Sequence, residues 1–163
     1  MKILLYVLMA ILTFLIQADA FPMLFKHEWM PNLILVWVIV LSLLKGRRMG
    51  LGAAIIGGLI HDLVISNAFG LHFFPYIVVA YFVSIWSHSV YEEQWYVTFA
   101  WVSGATVLDM MVRIGMLWLG REDILIGTYI WHHIWPVWWL NGLIGIVLHE
   151  LIWNMEERDE YIW

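Results

Sequence analysis

The sequence contains no cysteine. That absence excludes structural disulfides, thiolate metal sites and cysteine nucleophiles, and leaves the redox compartment unmarked. Charge is scarce too: 13% of the 163 residues are charged and the net charge is −5. This is not the basic footprint of a nucleic-acid-binding chain, so no nucleic acid is expected as a partner. No Ser/His/Asp arrangement, Walker loop or GxSxG motif stands in the sequence, and neither catalysis nor a cofactor is expected. Apolar residues are what the chain has in excess. They make up 63% of it, with a mean hydropathy of +0.82, more than a water-soluble domain of this size can hide. The chain is read as an integral membrane protein. Its non-apolar stretches are too short for a separate soluble domain, so residues 1–163 are expected to form a single polytopic membrane domain.

Apolar runs near the roughly 20 residues that a bilayer requires lie at about 3–20, 30–45, 49–67, 71–90, 95–118 and 134–153. They predict an all-α bundle of six transmembrane helices. Gly46 with Arg47 and Arg48, then Asn67 with Gly70, Gly120 and Pro136 mark the boundaries. Residues 1–20 also fit a signal peptide, with Lys2 before an apolar core and Ala18-Asp19-Ala20 as a small-x-small site. The apolar stretch is as long as a full span, however, and it is kept as the first helix.

Lys and Arg in the short loops give the orientation. With the N-terminus inside, the cytoplasmic side carries Lys2, Lys45, Arg47, Arg48 and Arg158, against Lys26 and Arg121 outside. Both termini are therefore expected in the cytoplasm. The acidic tail, Glu156, Glu157, Asp159 and Glu160, reads as a solvated end. Trp29, Trp95, Trp118, Trp131, Trp135 and Trp153 fall near the expected span ends, where an indole keeps its N–H wet and its ring in lipid. The densest cluster, "WHHIWPVWW" at residues 131–139, is expected to anchor the outer interface through Trp131, Trp135, Trp138 and Trp139.

The stretch "GGLIHDLVIS", residues 57–66, sets Asp62 among apolar residues. A carboxylate near the centre of a lipid-embedded helix costs on the order of 3 kcal/mol on insertion scales, so something must offset it. At a rise of 1.5 Å per residue, Asp62 lies about 20 Å along the third run and Asp109 about 21 Å along the fifth. Two carboxylates at one depth, with Arg113 at i+4 from Asp109 and Asn141 in the outer half of the sixth run, predict an intramembrane polar cluster of Asp62, Asp109, Arg113 and Asn141. Its expected role is to tie helices together, and Asp62→Asn is expected to be milder than Arg113→Ala, because an amide keeps the shape and hydrogen bonds. A proton pathway would need ionisable groups at several depths, and Glu150 is the other candidate. A metal site from His61, Asp62, His132 and His133 fits poorly, since adjacent histidines on a helix point about 100° apart. His72 and His88 are read as residues of a wet interface.

Gly50, Ala54 and Gly58 recur at every fourth position, with Ala53 and Gly57 forming a neighbouring row. Such a face lets backbones approach closely, within the bundle or against a partner's helix. Ala100 and Gly104 repeat the spacing once.

From Gln17 to Tyr81 the chain resembles the rod shape-determining protein MreD family. The likeness lies in Gln17 closing the first helix, Pro31-Asn32 opening an aliphatic second one, a basic turn with Gly46, glycines down the third, then "GLIHDL" followed by Gly70-Leu71 and Pro75-Tyr76. Asn32 stands where Asp is often met beside that proline, and His61 lies outside the pattern. The resemblance implies a non-enzymatic, multi-pass component of the cell-elongation machinery in the bacterial cytoplasmic membrane. Its implied partners are MreC directly and MreB, RodA and penicillin-binding synthases indirectly, besides membrane lipid and a possible second copy of itself. It also implies a fold like that of the six-helix substrate-binding S components of energy-coupling-factor vitamin transporters. Solute binding in such a transporter is the alternative function. By resemblance that role requires a small-residue docking motif on the first helix, whose middle offers only Ala10 amid bulky residues.

Overall fold

Every regular element among the described residues is helical. The computed structural model describes residues 2–25, 29–66, 69–86, 94–120, 127, 131 and 135–160. α1 (Lys2–Leu15) passes through a π turn (Ile16–Ala20) into α2 (Phe21–Leu24). α3 (Leu33–Leu44) and α4 (Gly46–Ile60) follow, and α4 runs into a second π turn (His61–Ile65). Then come α5 (Phe73–Trp86), α6 (Trp95–Leu119) and α7 (Trp135–Glu160). Among the described residues, four continuous stretches, Leu4–Leu24, Gly46–Ile65, Trp95–Leu119 and Trp135–Met155, are long and apolar enough to cross a bilayer. Leu33–Leu44 and Phe73–Trp86 are shorter apolar helices. The chain is an all-α membrane bundle. The boundary residue Asn67, the loop cations Lys26 and Arg121, and His88, His132 and His133 lie outside the described residues, as do the side chains of Lys2 and the acidic tail.

α3 is the centre. Its sequence, LILVWVIVLSLL, is apolar on every side, and such a helix requires neighbours on every side. Leu33 through Leu43 are all buried, and α3 packs against α1, α4, α5, α6 and α7. The peripheral helices turn large apolar side chains outward, Leu4, Leu8 and Leu12 of α1 among them. A tight corner joins α3 to α4 at Gly46, whose φ of +73° suits a residue without a β-carbon. Beside it, Lys45 lies 5.9 Å above the ring of Tyr6 and Arg47 lies 4.7 Å above that of Tyr81. These cation–π contacts gather the start of α1, the basic corner and the later part of α5 at one end of the bundle.

The small-residue row lies inside. Gly50, Ala54 and Gly58 are buried. A β-carbon at Gly58 would stand 2.7 Å from Phe73 Cα, one at Gly57 would stand 2.8 Å from Ile34 Cγ2, and one at Gly50 would overlap Ser42. The row is where α4 touches the backbones of α3 and α5. Gly58→Leu is accordingly expected to destabilise the detergent-solubilised protein by about 3 kcal/mol, the upper range for overpacking a filled interior. Ile55→Leu, at an exposed position, should shift the unfolding midpoint little. Equal behaviour of the two variants would contradict this packing. On α7, Gly142 and Gly145 play the same part toward α6, since β-carbons there would meet Phe99, Ser103 and Val102 at 2.6–2.7 Å.

Candidate functional site

Two helices begin inside the bundle, and the polar centre is built on their starts. At 1.5 Å per residue, α3 and α5 cover about 18 and 21 Å, less than the roughly 30 Å of a bilayer's hydrocarbon core. The first N–H groups of each helix have no partner within the helix. In lipid an unpartnered N–H costs several kcal/mol, so side chains of other helices must supply acceptors.

Asp62 does so for α5. Its Oδ2 accepts the backbone N–H of Gly70 at 2.8 Å and of Phe73 at 3.0 Å, and its Oδ1 accepts the N–H of His72 at 2.9 Å. The His72 ring adds a fourth contact, Nδ1 to Oδ1 at 2.9 Å. Gly70 turns its N–H inward at φ +95°. Four donors and the positive end of a helix offset the cost of placing this carboxylate among apolar residues.

Gln17 and Asn141 do the same for α3. Leu33 N–H donates to Gln17 Oε1 at 2.7 Å, and Asn32 N–H donates to Asn141 Oδ1 at 2.8 Å. Asn32 caps its own helix, accepting from Leu35 N–H at 3.0 Å. Gln17 and Asp62 both sit in π turns, where the extra residue widens the helix and re-aims its side chains.

The four residues expected to cluster do not meet as one group. Arg113 Nε donates to Asp109 Oδ2 at 3.0 Å, and Nη2 donates to the same oxygen. Arg113 Nη1 lies 2.9 Å from His72 Nε2. Asp62 is thus joined to Arg113 at one remove, in the order Asp62, His72, Arg113, Asp109. Asn141 belongs to the α3 half, where its Nδ2 also donates to Thr106 Oγ1 at 3.2 Å. Tyr76 and His61 connect the halves. The Tyr76 hydroxyl donates to Asn32 Oδ1 at 2.8 Å and lies 2.8 Å from His61 Nδ1, while the His61 ring stacks on His72 at 3.8 Å between centroids and 9° between planes.

His72 is not the wet-interface residue expected of it. It is 9% exposed and bridges a carboxylate and a guanidinium. Its position near a run's end hid this, because Arg113, a donor on α6, leaves no periodic trace in sequence. Gln17, Asn32 and Tyr76 stood out through the resemblance alone. Among the described residues, Gln17 Nε2, Ser103 Oγ and Asp109 Oδ1 are buried without a hydrogen-bond partner, and no three His, Asp or Glu side chains group as a metal site. The network's chemistry is that of a tie. Bonds to the charged groups Asp62, Asp109 and Arg113, about 1.5–3 kcal/mol each, link the π turn after α4 with α6 and the start of α5. Neutral bonds, about 0.5–1.5 kcal/mol each, link α3, α6 and α7 with the π turn after α1.

Of the tryptophans, Trp131, Trp135 and Trp139 are exposed. Trp135 stacks on Trp138 at 5.6 Å, and Phe99 of α6 packs on Trp138 and Trp139 at 6.4 and 5.4 Å. A separate buried pair, Thr98 Oγ1 and His149 Nδ1 at 2.7 Å, joins α6 to α7.

No curated protein and no solved structure matches the chain. A family model does, that of rod shape-determining protein MreD, over residues 1–155 of 163. That range takes in every residue of the polar centre from Gln17 to Asn141, and the chain belongs to the rod shape-determining protein MreD family.

Proposed function

We propose that this protein is a non-enzymatic scaffold of the bacterial cell-elongation machinery, a six-span protein with both termini in the cytoplasm. In this reading it binds MreC and helps couple MreB filaments to peptidoglycan synthesis by RodA and penicillin-binding synthases. The observation that carries the proposal is family membership over nearly the whole chain. The geometry supports it physically. A scaffold must hold its lipid-facing helix surfaces in a fixed relation, and the network around Asp62, Asp109, Arg113 and Asn141 serves that end. The end with Lys45 and Arg47 beside Tyr6 and Tyr81 faces the cytoplasm, as the distribution of basic residues requires. Trp131, Trp135, Trp138 and Trp139 anchor the opposite interface.

Affinity purification after crosslinking in native membranes tests the proposal. MreC is the expected partner in the eluate. A transport ATPase in its place would support the solute-binding alternative and overturn the scaffold reading.

A further inference from the structure

The contacts of His72 admit one protonation state. Asp62 Oδ2 accepts two backbone N–H groups and Oδ1 a third, so this side chain acts as an acceptor, and the His72 Nδ1 facing Oδ1 carries a hydrogen. On the other side of the ring stands Arg113 Nη1 at 2.9 Å. A guanidinium has donors only and keeps its charge. His72 Nε2 is therefore the acceptor, and the ring is neutral with its hydrogen on Nδ1.

A proton arriving at Nε2 would set N–H against N–H and one positive charge against another across 2.9 Å. One of the two must leave. The side chain able to leave is Arg113, because its neighbour Asp109 has an oxygen in reserve. Both present bonds from Arg113 to Asp109 end on Oδ2, while the buried Oδ1 has no partner. Turning toward Asp109, Arg113 can engage both oxygens in the paired fork geometry that guanidinium and carboxylate favour. His72 meanwhile keeps Asp62, now as a charged pair.

We infer that His72 is a proton-operated lock between the α4–α5 corner and α6: closed when neutral and bound to Arg113, open when protonated with Arg113 withdrawn onto Asp109 Oδ1. Among the described residues, the titratable or charged groups around the ring are Asp62 and His61 from the π turn after α4, Tyr76 from α5, and Asp109 and Arg113 from α6. Of these, Tyr76 donates to Asn32, which leaves His61 Nδ1 to donate to Tyr76. The stacked His61 ring offers His72 only its face and competes for neither nitrogen. The open state takes up the proton that the closed state excludes, so acid favours opening, by about tenfold per pH unit for a single linked proton. In the orientation proposed above, a reading on which this clause alone rests, the lock faces the extracytoplasmic side and responds to its acidity.

The test uses the full-length protein in lipid nanodiscs. Because the chain has no cysteine, Val78→Cys on α5 and Met111→Cys on α6, both at exposed positions, accept spin labels without background. The expected result is one label distance at pH 7.5 and a second population growing toward pH 5. In His72→Gln, whose amide donates to Asp62 and accepts from Arg113 but does not titrate, one distance should persist throughout. Nitrogen-15 spectra of histidine-labelled protein without substitutions should show His72 neutral with its hydrogen on Nδ1 at pH 7.5. Acid opening that is equal in His72→Gln, no acid opening at all, or a His72 carrying a hydrogen on Nε2 at pH 7.5 would each overturn the lock. None of these outcomes depends on which partner the protein binds.

Discussion

Arg113→Ala is expected to destabilise the bundle by about 3–5 kcal/mol, the range for leaving a buried charge without its partner. Asp109 is fully buried, and Arg113 supplies both of the hydrogen bonds made by its Oδ2. The other oxygen is already unpartnered, so the variant would leave a carboxylate with no donor in an apolar interior. The same substitution cuts the contact to His72 and with it the link from α6 to the start of α5. Arg113→Lys should recover part of the loss, since an ammonium keeps the charge without the planar fork. Unfolding in mixed detergent, followed by helix content, measures both variants. A midpoint for Arg113→Ala equal to that of the unsubstituted protein would contradict the account.

Asp62→Asn has the second large expected effect, smaller than that of Arg113→Ala but larger than an amide that kept every hydrogen bond would give. An amide keeps the carboxylate's outline but replaces one acceptor oxygen with a donor. If the amide oxygen faces His72, its NH2 confronts the N–H groups of Gly70 and Phe73. If the amide is flipped, it confronts the N–H and ring Nδ1 of His72. Either way two donors lose their acceptor at the buried start of α5, at about 1–3 kcal/mol each. Amide hydrogen exchange at residues 70–73 should rise by at least about tenfold, the equivalent of 1.4 kcal/mol. Unchanged protection there would contradict the capping role of Asp62.

Composition and run length made the bundle legible, because lipid demands apolar helices near a set length. Gly50, Ala54 and Gly58 were legible from spacing, since helical periodicity alone puts them on one face. Asp109 and Arg113 were legible as a local i,i+4 pair. The path from Asp62 to Arg113 was not, because it runs through His72, a residue of a third segment whose reach depends on helix rotation. The two π turns were also hidden: IQADA and HDLVI carry no residue pattern that distinguishes them from ordinary helix, yet they aim Gln17 and Asp62 at helix starts. Gly142 and Gly145 stand three apart beside a tryptophan cluster that drew attention to the interface instead.

In the scaffold proposed above, the polar centre holds the helices together and does not conduct protons. Asp62→Asn in rod-shaped cells depleted of the native protein tests it most directly, through membrane abundance, MreC capture and recovery of rod shape measured on the same culture. The account predicts that all three fall together. Normal abundance and normal MreC capture with lost rod shape would contradict it.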